Sequence, residues 1–201
     1  MYKRQSITIE KETAGKYEEK KSIFLAYILK VNNVEEFNKR LEELKIQHSK
    51  ARHILTTYRI DSAKEAASED KEPIKSSHII LEILKKNKLT KIGVVLVRYY
   101  GGILLGASNL EKAYIKVFTE AMNQAKKIDE KELPIYKLEI SNKDYSRLLK
   151  ALSSDDIVVS KEFYGPNVVL KVAGPNIDQL FNKLGCEYED TYERKLFAVS
   201  I

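Results

Sequence analysis

The sequence predicts an α+β protein of two domains, on three observations. An apolar, β-branched run, Val94-Val95-Leu96-Val97, leads through Arg98-Tyr99-Tyr100 to Gly101-Gly102 and is followed by the pattern of a long amphipathic helix. A charged stretch, Lys126 to Leu133, ends that helix ahead of Pro134. Beyond the proline, strand and helix signals recur as a complete β-α-β-β-α-β set. Residues 1–130 and 134–201 are the expected domains.

In chain order, residues 6 to 9 and 16 to 30 have strand character around Ala14-Gly15, with Ile23 to Leu29 apolar throughout, as an interior strand requires. Asn33 and Glu36 mark the start of a helix whose buried face is Val34, Phe37, Leu41 and Leu44. His53 to Ile60 returns to strand. The polar segment from 61 to 76 is expected to be a long, functional or mobile loop. Ser76 or Ser77 should cap the next helix, which turns Ile79, Ile80, Ile83 and Leu84 inward.

The buried strand around Val94 then leaves the sheet at Gly101-Gly102. Its helix carries Leu110, Ala113, Tyr114, Val117, Phe118 and Ala121 on one face, with Ser108 and Glu111 spaced as a capping box. The first domain reads β-β-α-β-α-β-α.

In the second, strand 135 to 140 precedes a helix with Tyr145, Leu148, Leu149 and Leu152 inward. Strands 157 to 163 and 168 to 173 meet across Tyr164-Gly165-Pro166-Asn167. Pro175 is expected at the first position of a helix ended by Gly185, and Tyr192 to Ile201 is the last strand. Such an order is the split βαβ arrangement, four antiparallel strands with two helices on one face.

A chain of 201 residues buries on the order of 70% of its unfolded surface without staples. One cysteine, Cys186, excludes an internal disulfide, and apolar runs of about four to six residues are too short to span a bilayer, so no membrane association and a cytoplasmic setting are expected. Residues 1–130 hold 25 Lys and Arg against 18 Asp and Glu, a balance of +7, while residues 131–201 hold 10 against 11. The excess positive charge is confined to the first domain, as suits a polyanion partner.

Gly101-Gly102 directs backbone amides and a helix N-terminus toward one corner, with Arg98, Tyr99 and Tyr100 at the strand's end. That corner suits a phosphate. Alternatively the glycines serve only a positive φ or a close chain crossing. His48, His53 and His78 lack the spacing of a helical metal pair and Cys186 has no second thiol, so no metal or cofactor is expected. Glu72 is a candidate partner for Arg52, Arg59 or Arg98, holding the long loop over the sheet.

Taken together, Ser22 and Phe24, Ala51-Arg52-His53, Tyr58-Arg59-Ile60, Ser68-Glu69-Asp70-Lys71-Glu72-Pro73 and Arg98 through Gly106 resemble the signature of the IMPACT family, in its bacterial YigZ-like branch. The resemblance implies a ribosomal protein S5 domain 2-like fold for the first domain. For the second it implies a ferredoxin-like domain similar to one of elongation factor G. It also implies a translation-linked or nucleic-acid-binding role. By position it carries over His53, the loop residues Asp70, Glu72 and Pro73, and the block Arg98 to Gly102 with Leu105-Gly106.

The sequence departs from the family pattern at Lys71, Lys75, Ser108 and Asn109, where glycines are usual. The function expected is that of a non-catalytic regulatory protein binding RNA or a ribosome-associated partner. Its anion-binding set is Arg52, His53, Arg59, Arg98, Tyr99, Tyr100, Gly101, Gly102 and Gly106. The alternatives are an enzyme, a hydrolase or transferase acting on a phosphorylated or peptide-like small molecule in the first domain's cleft, and a protein-interaction module presenting an apolar patch on the second domain's open sheet face.

Overall fold

A computed structural model describes residues 5–200. The chain divides into two compact units, Ser6–Ile128 and the residues from Asp129 onward.

The N-terminal unit comprises β1 (Gln5–Ile9), β2 (Thr13–Glu19), β3 (Ser22–Lys30), α1 (Val34–Gln47), β4 (His53–Arg59), β5 (Glu65–Ser68), α2 (Ser76–Lys86), β6 (Ile92–Tyr99) and α3 (Ala107–Gln124). Its antiparallel sheet runs β2-β3-β6-β4-β5, with β6 at the centre. Every residue of β6 before Tyr99 is buried, because both faces of the sheet are covered. Val94 and Leu96 pack with Phe24, Leu55 and the apolar faces of α2 and α3. Val95 and Val97 pack with Phe37 and Leu44 of α1 on the opposite face. Continuous apolar character, rather than alternation, is what a doubly covered strand demands.

Several local expectations are corrected. Residues 16 to 30 are two strands, joined by a tight turn at Lys20 and Lys21 with φ of 45° and 65°. No Asn or Gly announces this turn; the hairpin register imposes it on two lysines. The stretch expected as one long loop contains β5, a short polar edge strand paired to β4 from Arg59↔Glu65 to Thr56↔Ser68.

Neither predicted serine cap forms. Ser76 and Ser77 lie inside α2, where the Ser77 hydroxyl donates to Ser68 O and its carbonyl accepts from Thr57 Oγ1. Residue Gly106, with φ 73°, precedes α3 in the cap position, and Ser108 is already helical. By contrast Asn33 caps α1 as expected, accepting from Glu36 N–H, while Glu36 reaches back to Asn32 N–H.

The second unit holds β7 (Lys127–Ser141), α4 (Asn142–Ala151), β8 (Ile157–Tyr164), β9 (Asn167–Ala173), α5 (Ile177–Leu184) and β10 (Glu189–Ser200). Here β7 pairs with both β9 and β10, and β9 with β8, while Leu138, Ile140, Leu148, Val168, Leu170, Val172, Ile177 and Phe181 form the core. This is the expected βαββαβ arrangement.

The stretch before Pro134 expected to end a helix is instead strand: β7 continues through the proline, and its ladder with β9 begins at Ile135. A proline is tolerated where no ladder N–H is needed. Leu149, expected inward, is exposed, and Pro175 precedes the α5 cap, Asn176, instead of opening the helix. Gly185 ends α5 in the left-handed conformation, as predicted. Ile201 lies outside the described residues. Among the described residues no helix is long and apolar enough to cross a membrane.

One buried polar cluster gives the N-terminal unit a pH response. His48, at the end of α1, lies between two phenols, with Nε2 2.8 Å from Tyr27 Oη and Nδ1 2.8 Å from Tyr99 Oη. Burial lowers its pKa, and burial raises that of Tyr27. A neutral ring donates with one nitrogen and accepts with the other, which matches two hydroxyl partners.

Because the folded value is below the unfolded one, the unfolded chain takes up the proton first as pH falls. The contribution is fully present above about pH 6.5, and it is lost as pH drops from there through the lowered folded value. Denaturant titrations between about pH 7.5 and 5.5 should therefore show a loss of stability that His48→Gln, which keeps a donor and an acceptor but does not titrate, largely abolishes.

Candidate functional site

Antiparallel register places Arg98, the last inward position of β6, opposite Phe24 of β3 and His53 of β4. Alternation along the strand turns Arg98 to the same face as Val94 and Leu96, and turns Tyr99 to the other, toward His48. The charge is therefore inside the sheet's α2–α3 layer. Arg98 Nη1 donates to Glu72 Oε1 at 2.5 Å, and both side chains are more than nine-tenths buried. Its guanidinium also lies 5.8 Å from the Phe24 ring centroid and 5.6 Å from that of Tyr100. Of the three arginines considered for Glu72, the structure selects Arg98.

The segment after β5 exists in this form to deliver that carboxylate. Asp70 and Lys71 take φ of 48° and 64°, and Glu72 N–H donates to Glu69 O. Asp70 Oδ2 accepts from Ile54 N–H at 2.8 Å, tying the turn to β4. Glu69 Oε1 accepts from His78 N–H, and Glu111 Oε2 from Lys75 N–H, so two acids from elsewhere in the chain cap α2.

His53 completes the floor. Its Nδ1 is 3.1 Å from Asp70 O, a carbonyl that can only accept, and its Nε2 is 3.2 Å from Glu72 Oε1. Tyr114 stands beneath, its hydroxyl pKa pushed up first by burial and then by the Glu72 charge.

Above this floor opens a cleft of about 610 Å³. Pro73, Leu105 and Leu110 make its walls; Arg52, Tyr100 and Leu104 stand at its mouth, with Gly106 and Ala107 at the start of α3. Tyr100 is 46% exposed and Leu104 83%. Because Gly106 brings no side chain, no cap closes the first turn of α3, and the amides of Ala107, Ser108 and Asn109 carry the positive end of an 18-residue helix.

Of the predicted anion-binding set, Arg52, His53, Arg98, Tyr100 and Gly106 come together here, with Glu72 and Pro73. Arg59 lies toward the far end of β4, held by Glu65 Oε2 and Leu89 O. Tyr99 faces the other side of the sheet. Gly101 N–H donates to Ser22 Oγ, and a Cβ there would sit 2.1 Å from the Lys21 carbonyl carbon, so this glycine permits a close chain crossing. Gly102 is exposed in a positive-φ turn. Of the walls, Pro73 and Leu105 stand in the blocks that carry the resemblance, and Leu110 was expected only as part of the buried face of its helix.

Two stability outcomes follow from the floor. Arg98→Ala or Glu72→Ala strands a buried charge and should cost about 3–5 kcal/mol, whereas Arg98→Met combined with Glu72→Leu should cost less than either, by denaturant unfolding. Lys71→Gly should stabilise by up to about 1 kcal/mol, since relief of a left-handed residue, roughly 1–2 kcal/mol, exceeds glycine's added unfolded-state freedom.

Comparison with known proteins agrees with this architecture. The Impact N-terminal domain family matches residues 20–122. The chain is 29% identical over 151 residues to the IMPACT family member YvyE of Bacillus subtilis (strain 168), covering 74% of this chain and 70% of that one. It is 30% identical over 161 residues to YigZ of Escherichia coli (strain K12), covering 78% and 79%. A crystal structure of a hypothetical protein aligns over 100% of this chain and 98% of its own, with a TM-score of 0.61 at 26% identity. The fold is the expected α+β pair of an S5 domain 2-like unit and a ferredoxin-like one. On the match to its N-terminal domain and to YigZ along most of its length, this chain belongs to the IMPACT family.

Proposed function

We propose that this chain is a non-catalytic, translation-associated regulatory protein of the cytoplasm whose N-terminal unit binds single-stranded RNA, free or within a ribosome-associated particle, at the mouth of the cleft. One observation carries the reading: the uncapped first turn of α3 opens beside the exposed Arg52 and the exposed ring of Tyr100. Amide donors and a guanidinium suit phosphate, and an accessible ring suits an unstacked base. Arg98 takes no direct part, being committed to Glu72. Lys71 and Lys75, exposed on either side of Glu72-Pro73-Ile74, add positive charge where the family carries glycine.

The enzyme reading is less well supported by the floor. A general base needs a ring nitrogen facing substrate, and both nitrogens of His53 are already engaged by Asp70 O and Glu72. The protein-interaction reading asks for a continuous apolar patch on the second unit. Its exposed Phe163 and Tyr164 lie on β8, which pairs with β9, while Tyr192 and Leu196 lie on β10, which pairs with β7.

RNA affinity measured against salt tests the proposal. Binding should weaken linearly on a log–log plot, and Arg52→Ala should reduce the slope by about one. Absence of RNA binding at ~50 mM salt overturns it.

A further inference from the structure

We propose that the cleft is a nucleotide subsite, taking one planar base between its apolar walls while the attached phosphate rests on the first turn of α3 beside Arg52. The inference rests on the RNA-binding reading and specifies what the strand presents there.

Two independent features converge on this. At the mouth, Gly106 leaves α3 uncapped next to an exposed guanidinium, which is the phosphate end. On the floor, the buried pair Arg98–Glu72 and the His53 ring beside it line the same cleft and give it a fixed polar base. The cleft thus joins a polar floor and a positive mouth through apolar walls.

The chemistry between these ends selects the occupant. An aliphatic chain would match Pro73, Leu105 and Leu110 but would leave the amides and the guanidinium at the mouth without an anion. Inorganic phosphate would satisfy the mouth and leave the apolar walls wet. A base does both, because its faces are apolar and its edge carries donors and acceptors. Tyr100, with its ring accessible at the entrance, supplies a stacking surface. The volume of about 610 Å³ falls among the roughly 300–1,000 Å³ typical of small-ligand sites.

The test titrates the full chain with inorganic phosphate, with the four nucleoside monophosphates and with an unstructured oligonucleotide. At least one monophosphate should bind about tenfold or more tighter than phosphate, and Ala107→Trp, which fills the cleft from an exposed helix position, should abolish that advantage. If Ala107→Trp lowers the melting temperature, Tyr100→Ala serves instead and should reduce monophosphate affinity about tenfold. An oligonucleotide that binds tighter than the monophosphate assigns the base to a strand, and equal affinity assigns it to a free nucleotide; both support the subsite.

Monophosphates no tighter than phosphate overturn it, as does unchanged monophosphate affinity in whichever of the two variants folds normally. Salt-dependent RNA binding that survives such a result leaves the RNA reading standing without the subsite. Monophosphate binding without RNA binding does the reverse.

Discussion

Arg98 ends the most buried strand of the N-terminal unit on the inward side, so its charge has to be neutralised within the protein. Leaving a guanidinium unpaired at that depth costs several kcal/mol, and only a carboxylate held in place recovers it. Glu72 fills that role from the segment after β5, and much of the surrounding structure follows. The left-handed pair Asp70-Lys71, the bond from Ile54 N–H to Asp70 and the placement of His53 all serve to seat one carboxylate against one arginine. The strained turn is held because the ion pair and the β4 contact together over-determine it.

That commitment decides where the surface can meet an anion. The cation that sequence places closest to the glycine turn is spent inside, and the turn's first amide is spent on Ser22. What remains open lies a few residues further on, at the start of α3. Glu111, which has capping-box spacing with Ser108, instead accepts from Lys75 N–H and helps cap α2. One helix is therefore capped by acids from outside itself while its neighbour's first turn is left bare toward the cleft. The same bonds that order the loop also create the positive end on which an anion would sit.

The two units differ in where they place their internal charge. In the N-terminal unit an arginine, a glutamate and two histidines are drawn into contacts that burial makes consequential, and His48 between Tyr27 and Tyr99 is the counterpart of the Arg98 site on the opposite face of the sheet. The core of the second unit is built from aliphatic and aromatic side chains; pairs such as Lys171 with Glu193 lie at the surface, and its buried acids, Asp129 and Glu130, stand at its start rather than beside the cleft. Features that could recognise a ligand are concentrated in the first.

Sequence alone determined the elements whose burial is periodic or continuous: β3, β6, the faces of α1 and α3, and the βαββαβ order of the second unit. These depend on apolar spacing, which one stretch of chain carries by itself. The blocks around His53, Glu72 and Arg98 also marked the residues that meet in the cleft. Tertiary structure decided the rest. Lys20-Lys21 turns because β2 and β3 pair, and β5 forms because β4 offers an edge. Glu72 chose Arg98 over two other arginines because register sets Arg98 against His53, and Leu105 and Leu110 became walls only once α3 lay over the sheet. A partner, a strained turn or a cavity is a relation between segments distant in the chain, and folding alone brings those segments together.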